Sequence, residues 1–493
     1  MLLRRLSSVA RGMLVSLTLF GLMVTFVRET TPDRVPTNPV PTIRLTSQET
    51  DRAAAFPPIV GAVPAVVYHD ISGRRGGDSV TPEAFAEQLA VLKAAGFAPV
   101  GLREVLDLVL GQPVDLPERP ILITFDDATS TQYTDARNIL RRYGFRAVSF
   151  VPTGQLADRT PSYNLTRDQL RQLVDAGWGV GSQTDTGRGM VRTGEETAGP
   201  WLTNRELHPD GTLQPVADWQ SRLTRDLGRS ADVVRGFDRL SPAALAYPVA
   251  DGAPSNDQQL SALLRQQVKQ RYDLAFTSAS RGDRAISRYS DRWRLPRLTV
   301  TADMTPGALL DALTRMVPQP PTSQLGLWKP RAVGGSCVVD GQSLRLTGSG
   351  YVRCQGSIND ESWRDYSLQV EVSGGGAGTT AMVGIRDQGD RRLEVAISRA
   401  HLVVRERCGG QGWRELGTVS VPWTAEATPH HLRIRVQGGA AVVSLDGRQV
   451  SDVSLDPGID HGAPSFGMAA NGTDAVVFSQ IQVAPLPRRG SPS

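Results

Sequence analysis

The chain has 493 residues, with 54 Lys+Arg against 50 Asp+Glu and a formal net charge of +4. That length predicts two or three domains, and 40% hydrophobic with 21% charged residues excludes wholesale disorder. A near-neutral balance gives no support to nucleic-acid binding, which would leave a concentrated basic patch, and a single long apolar run excludes a polytopic membrane protein.

At the N-terminus, Arg4, Arg5 and Arg11 precede and enter an apolar region whose uncharged core runs from Gly12 to Val27. This is the layout of an export signal. No small-x-small site follows Val27, so residues 1–27 read either as a signal anchor or as a cleaved signal peptide. Both place the rest outside the cytoplasm, held to the membrane by this segment or secreted. Residues 28–64, rich in Pro, Thr and charge, read as a stalk.

From Ala65 short apolar runs alternate with amphipathic stretches. Strands are predicted at Ala65–Tyr68, Ile121–Phe125, Ala147–Val151, Gly179–Gly181, Leu245–Tyr247 and Leu274–Phe276. Helices are predicted at Pro82–Ala95, Thr131–Tyr143, Leu165–Ala176, Asp257–Gln270 and Pro306–Met316. This alternation predicts an α/β fold with a parallel sheet over 65–316, possible as a barrel. Gly187–Pro215 reads as an irregular insertion. A Pro-rich linker (317–330) leads to 331–487, where the helical period disappears. Tyr366–Val372, Ala381–Ile385, Leu393–Ile397, Leu402–Arg405, His431–Val436, Ala441–Leu445 and Ala475–Val483 are short strands with Gly, Asp and Pro turns, as in an antiparallel β-sandwich. The cysteines Cys337, Cys354 and Cys408 all fall here. Two could pair in an oxidising compartment, but the connectivity stays open.

Asp126 and Asp127 follow the strand Ile121–Phe125, where α/β barrels place catalytic groups. Taken alone they also fit a helix cap and a solvated neighbour. Around them stand Val67-Tyr68-His69-Asp70-Ile71, ILITFDDAT, AVSFVPTG, LTRDQLRQLVDAGWGVGSQT, LAYPVADG, YDLAFTS and RLPRLTV. In this order they resemble the polysaccharide deacetylase (NodB homology) family, with the YHDI opening most similar to the poly-N-acetylglucosamine deacetylase branch. The resemblance implies a distorted (β/α) barrel of NodB type and an N-acetylated polysaccharide as partner. It also implies Asp126 as general base, Asp127 as metal ligand, and a divalent ion that polarises the acetamide and its bound water.

Two histidines complete the metal site in that family, and here Gln183 and Gly187 stand at their positions. An amide and a glycine bind zinc poorly. Asp185, between them, reads as a turn former or as a hard oxygen ligand. His69 reads as a structural hydrogen-bonding group or as a catalytic acid. The family's oxyanion-hole stretch is Tyr247-Pro248-Val249-Ala250 here, with Val249 supplying the backbone donor.

The segment from His430 on resembles concanavalin-like and laminin-G-like jelly-roll sandwiches, which implies fold more than function. Trp363, Trp413 and Trp423 are either sugar-stacking residues or core. The expectation is an exported cell-envelope protein that engages an N-acetylated polysaccharide through a barrel with impaired metal chemistry. The alternative is an active de-N-acetylase using zinc, manganese or magnesium in a sphere of Asp126, Asp127, Asp185 and His69.

Overall fold

The computed structural model describes residues 38–72, 78–159, 162–248, 258–277, 284–328, 330–356, 360, 362–421 and 429–486. The expected export segment lies outside these residues. Among the described residues no helix is long and apolar enough to cross a membrane.

The first half curls a parallel sheet of β1 (Ala65–Tyr68), β2 (Pro120–Phe125), β3 (Val148–Val151), β4 (Gly179–Ser182), β5 (Ala244–Ala246), β6 (Leu274–Phe276) and β7 (Leu298–Thr299). Their spatial order is β6-β5-β4-β3-β2-β1-β7. Every residue of β1, β2 and β3 is buried, which explains their unbroken apolar runs. The helix α1 (Pro82–Ala94) starts on the Thr81 cap with Pro82 in its first turn, and buries Phe85, Leu89 and Leu92 against the sheet. A helix at Leu102–Val109, not anticipated from sequence, adds Leu102, Val105 and Leu106 to the core.

Three boundaries differ from expectation. Residues expected as stalk pack on the barrel from Asn38 onward. A capping box of Thr46 and Glu49 starts a helix at Ser47–Ala54, and Ala53, Phe56 and Ile59 join the barrel core. The Pro-rich linker is divided between the two cores: Val317 sits in the barrel core, Leu325 and Trp328 in that of the sandwich. The insertion is partly regular, with Met190–Arg192 pairing antiparallel to Ala198–Pro200. It leads into the longest barrel helix, α2 (Val216–Phe237), which buries Trp219, Leu223, Leu227 and Val234.

The second half is antiparallel, with long strands β8 (Ser343–Gln355), β9 (Tyr366–Gly374), β10 (Thr380–Ile385), β11 (Arg391–Ile397), β12 (His401–Cys408), β13 (Trp413–Ser420), β14 (His430–Gln437), β15 (Ala440–Leu445), β16 (Arg448–Ser454) and β17 (Ser465–Pro485). The order β13-β12-β11-β10-β17-β9-β14-β15-β16 makes β17 the strand that joins the two faces. Alternate residues fill the core, including Leu393, Val395, Ile397, Phe466 and Phe478. Cys337 is disulfide-bonded to Cys354, and Cys408 is free. The halves touch where Tyr289 stacks on His461 at 4.0 Å, and Trp363 Nε1 donates to Gln319 O at 2.6 Å.

Candidate functional site

The site lies at the C-terminal ends of β2 and β4, the side where parallel barrels carry their chemistry. Beyond β2 the chain turns sharply: Asp127 and Ala128 hold φ of 66° and 47°, and after β4 Thr184 holds 68°. Such left-handed backbone is unfavourable for side-chain-bearing residues and needs support from its surroundings. The support is visible. Gln183 Oε1 accepts from Asp127 N at 3.0 Å and Asn164 Nδ2 donates to Asp127 O at 3.1 Å. The Asp226 carboxylate, from α2, accepts from the N–H groups of Asp185 (3.0 Å) and Thr186 (2.8 Å).

Asp126 is fully buried. Its carboxylate forms a bidentate pair with Arg297, Nη1–Oδ1 at 2.7 Å and Nη2–Oδ2 at 2.9 Å, and Arg297 is equally buried. Arg297 is itself fixed: Nε donates to Thr277 O at 3.0 Å, and the guanidinium lies near the Phe150 and Phe276 rings. Below Asp126 a single π-helical turn (Gln132–Ala136) opens the predicted helix and brings Gln132 Nε2 to Asp126 O at 3.0 Å.

Asp127 carries the opposite arrangement, a carboxylate one-quarter exposed. Its Oδ1 is in close ion-pair contact with Arg188 Nη2, and Arg188 Nη1 also reaches Gln155 Oε1 at 3.3 Å. A guanidinium therefore sits on the carboxylate that the resemblance assigns to a metal.

The remaining ligand positions fit a metal no better. The Gln183 oxygen already accepts from Asp127 N. A Cβ at Gly187 would lie 2.4 Å from the Trp201 ring, so the insertion's tryptophan fills the space a second histidine would need. Asp185 is buried, with Oδ1 accepting from Thr153 Oγ1 at 2.7 Å and Oδ2 at 3.6 Å from Arg229. Its carboxylate thus supports the β3–β4 loops. Among the described residues no three His, Cys, Asp or Glu gather to hold a metal. The donor set does not fit the ion that the family resemblance implies.

The other predicted residues divide. His69 follows β1, and its Nδ1 is buried with no hydrogen-bond partner among the described residues, an uncommon state for an imidazole nitrogen. Tyr247 is buried, its hydroxyl donates to Trp293 O at 3.1 Å, and burial pushes its phenol up, so it serves the packing of the barrel. Val249 lies outside the described residues. Trp363 is core; Trp413 is 37% exposed; Trp423 lies outside the described residues. Sequence reasoning missed Arg188, Trp201, Asp226 and Arg297. Arg297 lies inside RLPRLTV, which carried the family resemblance, and the Trp219/Leu223/Leu227 spacing signals the helix that bears Asp226.

Residues 114–264 match the family described as polysaccharide deacetylase. A Bacillus subtilis protein, YxkH, is 29% identical over 124 residues, 25% of this chain and 42% of that protein. The poly-beta-1,6-N-acetyl-D-glucosamine N-deacetylase of Staphylococcus epidermidis is 24% identical over 229 residues, 46% of this chain and 69% of that one. Among solved structures, a de-N-acetylase from Aggregatibacter actinomycetemcomitans aligns over 51% of this chain and 99% of its own, at 19% identity and a TM-score of 0.43. Residues 114–264, within the barrel, are thus similar in sequence to polysaccharide deacetylases, poly-N-acetylglucosamine deacetylases among them, and the barrel is joined to a β-sandwich.

Proposed function

From a deacetylase-type barrel as premise, we propose that this chain binds an N-acetylated polysaccharide of the poly-N-acetylglucosamine kind without metal-dependent removal of its acetyl groups. The observation that carries the reading is the Arg188 guanidinium on the Asp127 carboxylate. A fixed cation there neutralises the carboxylate and competes electrostatically with any divalent ion. Gln183 and Trp201 add to it: the Gln183 amide oxygen is committed to the Asp127 N–H, and Trp201 fills the space of the second ligand. Within this reading the chain is exported through its N-terminal segment and either anchored by it or released.

One feature favours the alternative of an active hydrolase. Both carboxylates are retained, on a turn whose left-handed backbone is held by Gln183 and Asn164 from two separate loops. The two readings separate cleanly in one experiment. The purified chain is applied to poly-β-1,6-N-acetylglucosamine with added zinc, manganese or magnesium, and both retention and acetate are measured beside Asp126→Asn. Retention with no acetate above that control is expected. Acetate release abolished by Asp126→Asn would establish the hydrolase instead.

A further inference from the structure

We infer that the outer face of the β8–β17–β10–β11–β12–β13 sheet is a second glycan-binding site, specific for uncharged, N-acetylated chains. The choice of polymer rests on the reading above; the site itself rests on separate residues.

Strand pairing places Tyr351, Arg353, Gly384, Arg392, Glu394, Arg405 and Trp413 on one face, opposite the core-facing Leu393, Val395 and Val404. Residues on the solvent side of a sandwich are ordinarily hydrated. Here Arg392 and Glu394 are 3% and 2% exposed. Charges are kept from water at this depth only when they are paired and hydrogen-bonded. Glu394 meets that condition with both oxygens. Oε1 accepts from Arg405 Nε (3.0 Å) and Nη2 (2.6 Å), and Oε2 from Arg392 Nε and Nη2 (both 3.2 Å). Gly384 leaves room for this layer to lie flat, since a Cβ there would meet Ser465 Oγ at 2.3 Å and Arg392 Cδ at 3.3 Å.

Two exposed aromatic rings stand on the layer. Trp413 lies against the Arg392 and Arg405 guanidinium groups, 4.8 and 4.3 Å from its centroid, and Tyr351 Oη accepts from Arg392 Nη2 at 3.3 Å. Both remain open to solvent, Tyr351 at 47% and Trp413 at 37%. Isolated exposed aromatics need no explanation, but two rings pinned to one buried arginine do. Their conformations are set before any ligand arrives, so stacking a sugar face on them loses little side-chain freedom.

The charge decides between forms of the polymer. Arg392 and Arg405 against Glu394 leave the central cluster one positive charge in excess. A neutral N-acetylated chain meets no repulsion there, whereas a de-N-acetylated chain, a polycation, does.

The test is affinity electrophoresis of the full chain in gels containing poly-β-1,6-N-acetylglucosamine or its fully de-N-acetylated form. Trp413→Ala and Tyr351→Ala are compared with the barrel variant Arg188→Ala, and near-UV circular dichroism confirms that each variant is folded. The acetylated polymer is expected to retard the native chain, the de-N-acetylated polymer much less. Each sandwich variant should weaken retardation at least fivefold, and combination with Arg188→Ala should remove what remains. Unchanged retardation in folded Trp413→Ala and Tyr351→Ala overturns this site, whether or not Arg188→Ala has an effect. Equal or stronger retardation by the de-N-acetylated polymer overturns its specificity. Retardation abolished outright by folded Trp413→Ala, with the barrel untouched, leaves the sandwich site standing and refutes binding by the barrel.

Discussion

The two halves of the molecule each bury a carboxylate against arginine, to different ends. In the barrel Asp126 and Arg297 are both fully enclosed, and the pair is tied into backbone at Thr277 and ringed by Phe150 and Phe276. In the sandwich Glu394 is as deeply buried, but its arginines reach outward to Trp413 and Tyr351, which face solvent. The barrel pair supports a loop, while the sandwich pair supports a surface. Burial of a charge therefore says little about function until the next layer of side chains is known.

The largest effect should come from breaking the enclosed pair. Arg297→Met leaves Asp126 uncompensated in a dry core and should cost about 3–5 kcal/mol of stability, read by chemical denaturation. The double variant with Asp126→Asn should recover part of that loss, because no unpaired charge is left behind. A loss under about 1 kcal/mol would mean that water reaches the pair.

Next comes Gly187→His. Its side chain must displace Trp201, and overpacking of this kind costs roughly 1–3 kcal/mol. Adding Trp201→Ala should relieve the strain, and if it does not, the tryptophan is not what fills the ligand position. On the sandwich face Trp413→Ala should change stability by less than about 1 kcal/mol, because the ring is partly exposed and Glu394 keeps both arginines. That small loss sharpens the contrast with Arg297.

The smallest effect concerns pH. The Gly376 N–H and Thr379 hydroxyl, both donating to the Asp474 carboxylate, hold its pKa below the usual carboxylate range. A depressed folded-state value contributes stability above the unfolded pKa of about 4, and that contribution is lost as pH falls through the folded value. Asp474→Asn should therefore lower Tm slightly at pH 7 and not at all in strong acid. An equal change at both pH values would mean that the carboxylate charge is not the cause.

How much of this was legible depends on how far apart the partners sit in sequence. Ala65–Tyr68 and Ile121–Phe125 announce themselves as continuous apolar runs because both faces of the sheet are covered. The helix Val216–Phe237 has Trp219, Leu223 and Leu227 at helical spacing, yet it follows a Gly/Pro-rich stretch that obscures its start. The supposed stalk misleads in the same way: Pro and Thr dominate its composition, while Ala53, Phe56 and Ile59 carry the packing. At the site, the loss of two ligand histidines is plain from Gln183 and Gly187. That Arg188 covers Asp127, or that Asp185 faces Thr153, follows only from the folding of distant loops onto one another.

The central claim is that protein groups occupy the places a metal would take. It is tested most directly by equilibrium dialysis of the full chain against zinc, followed by elemental analysis. The comparison is a variant carrying Gln183→His, Gly187→His, Arg188→Ser and Trp201→Ala. The native chain should retain well under about one-tenth of an equivalent, and the variant close to one. A full equivalent of zinc on the native chain, removed by Asp127→Asn, would contradict the account.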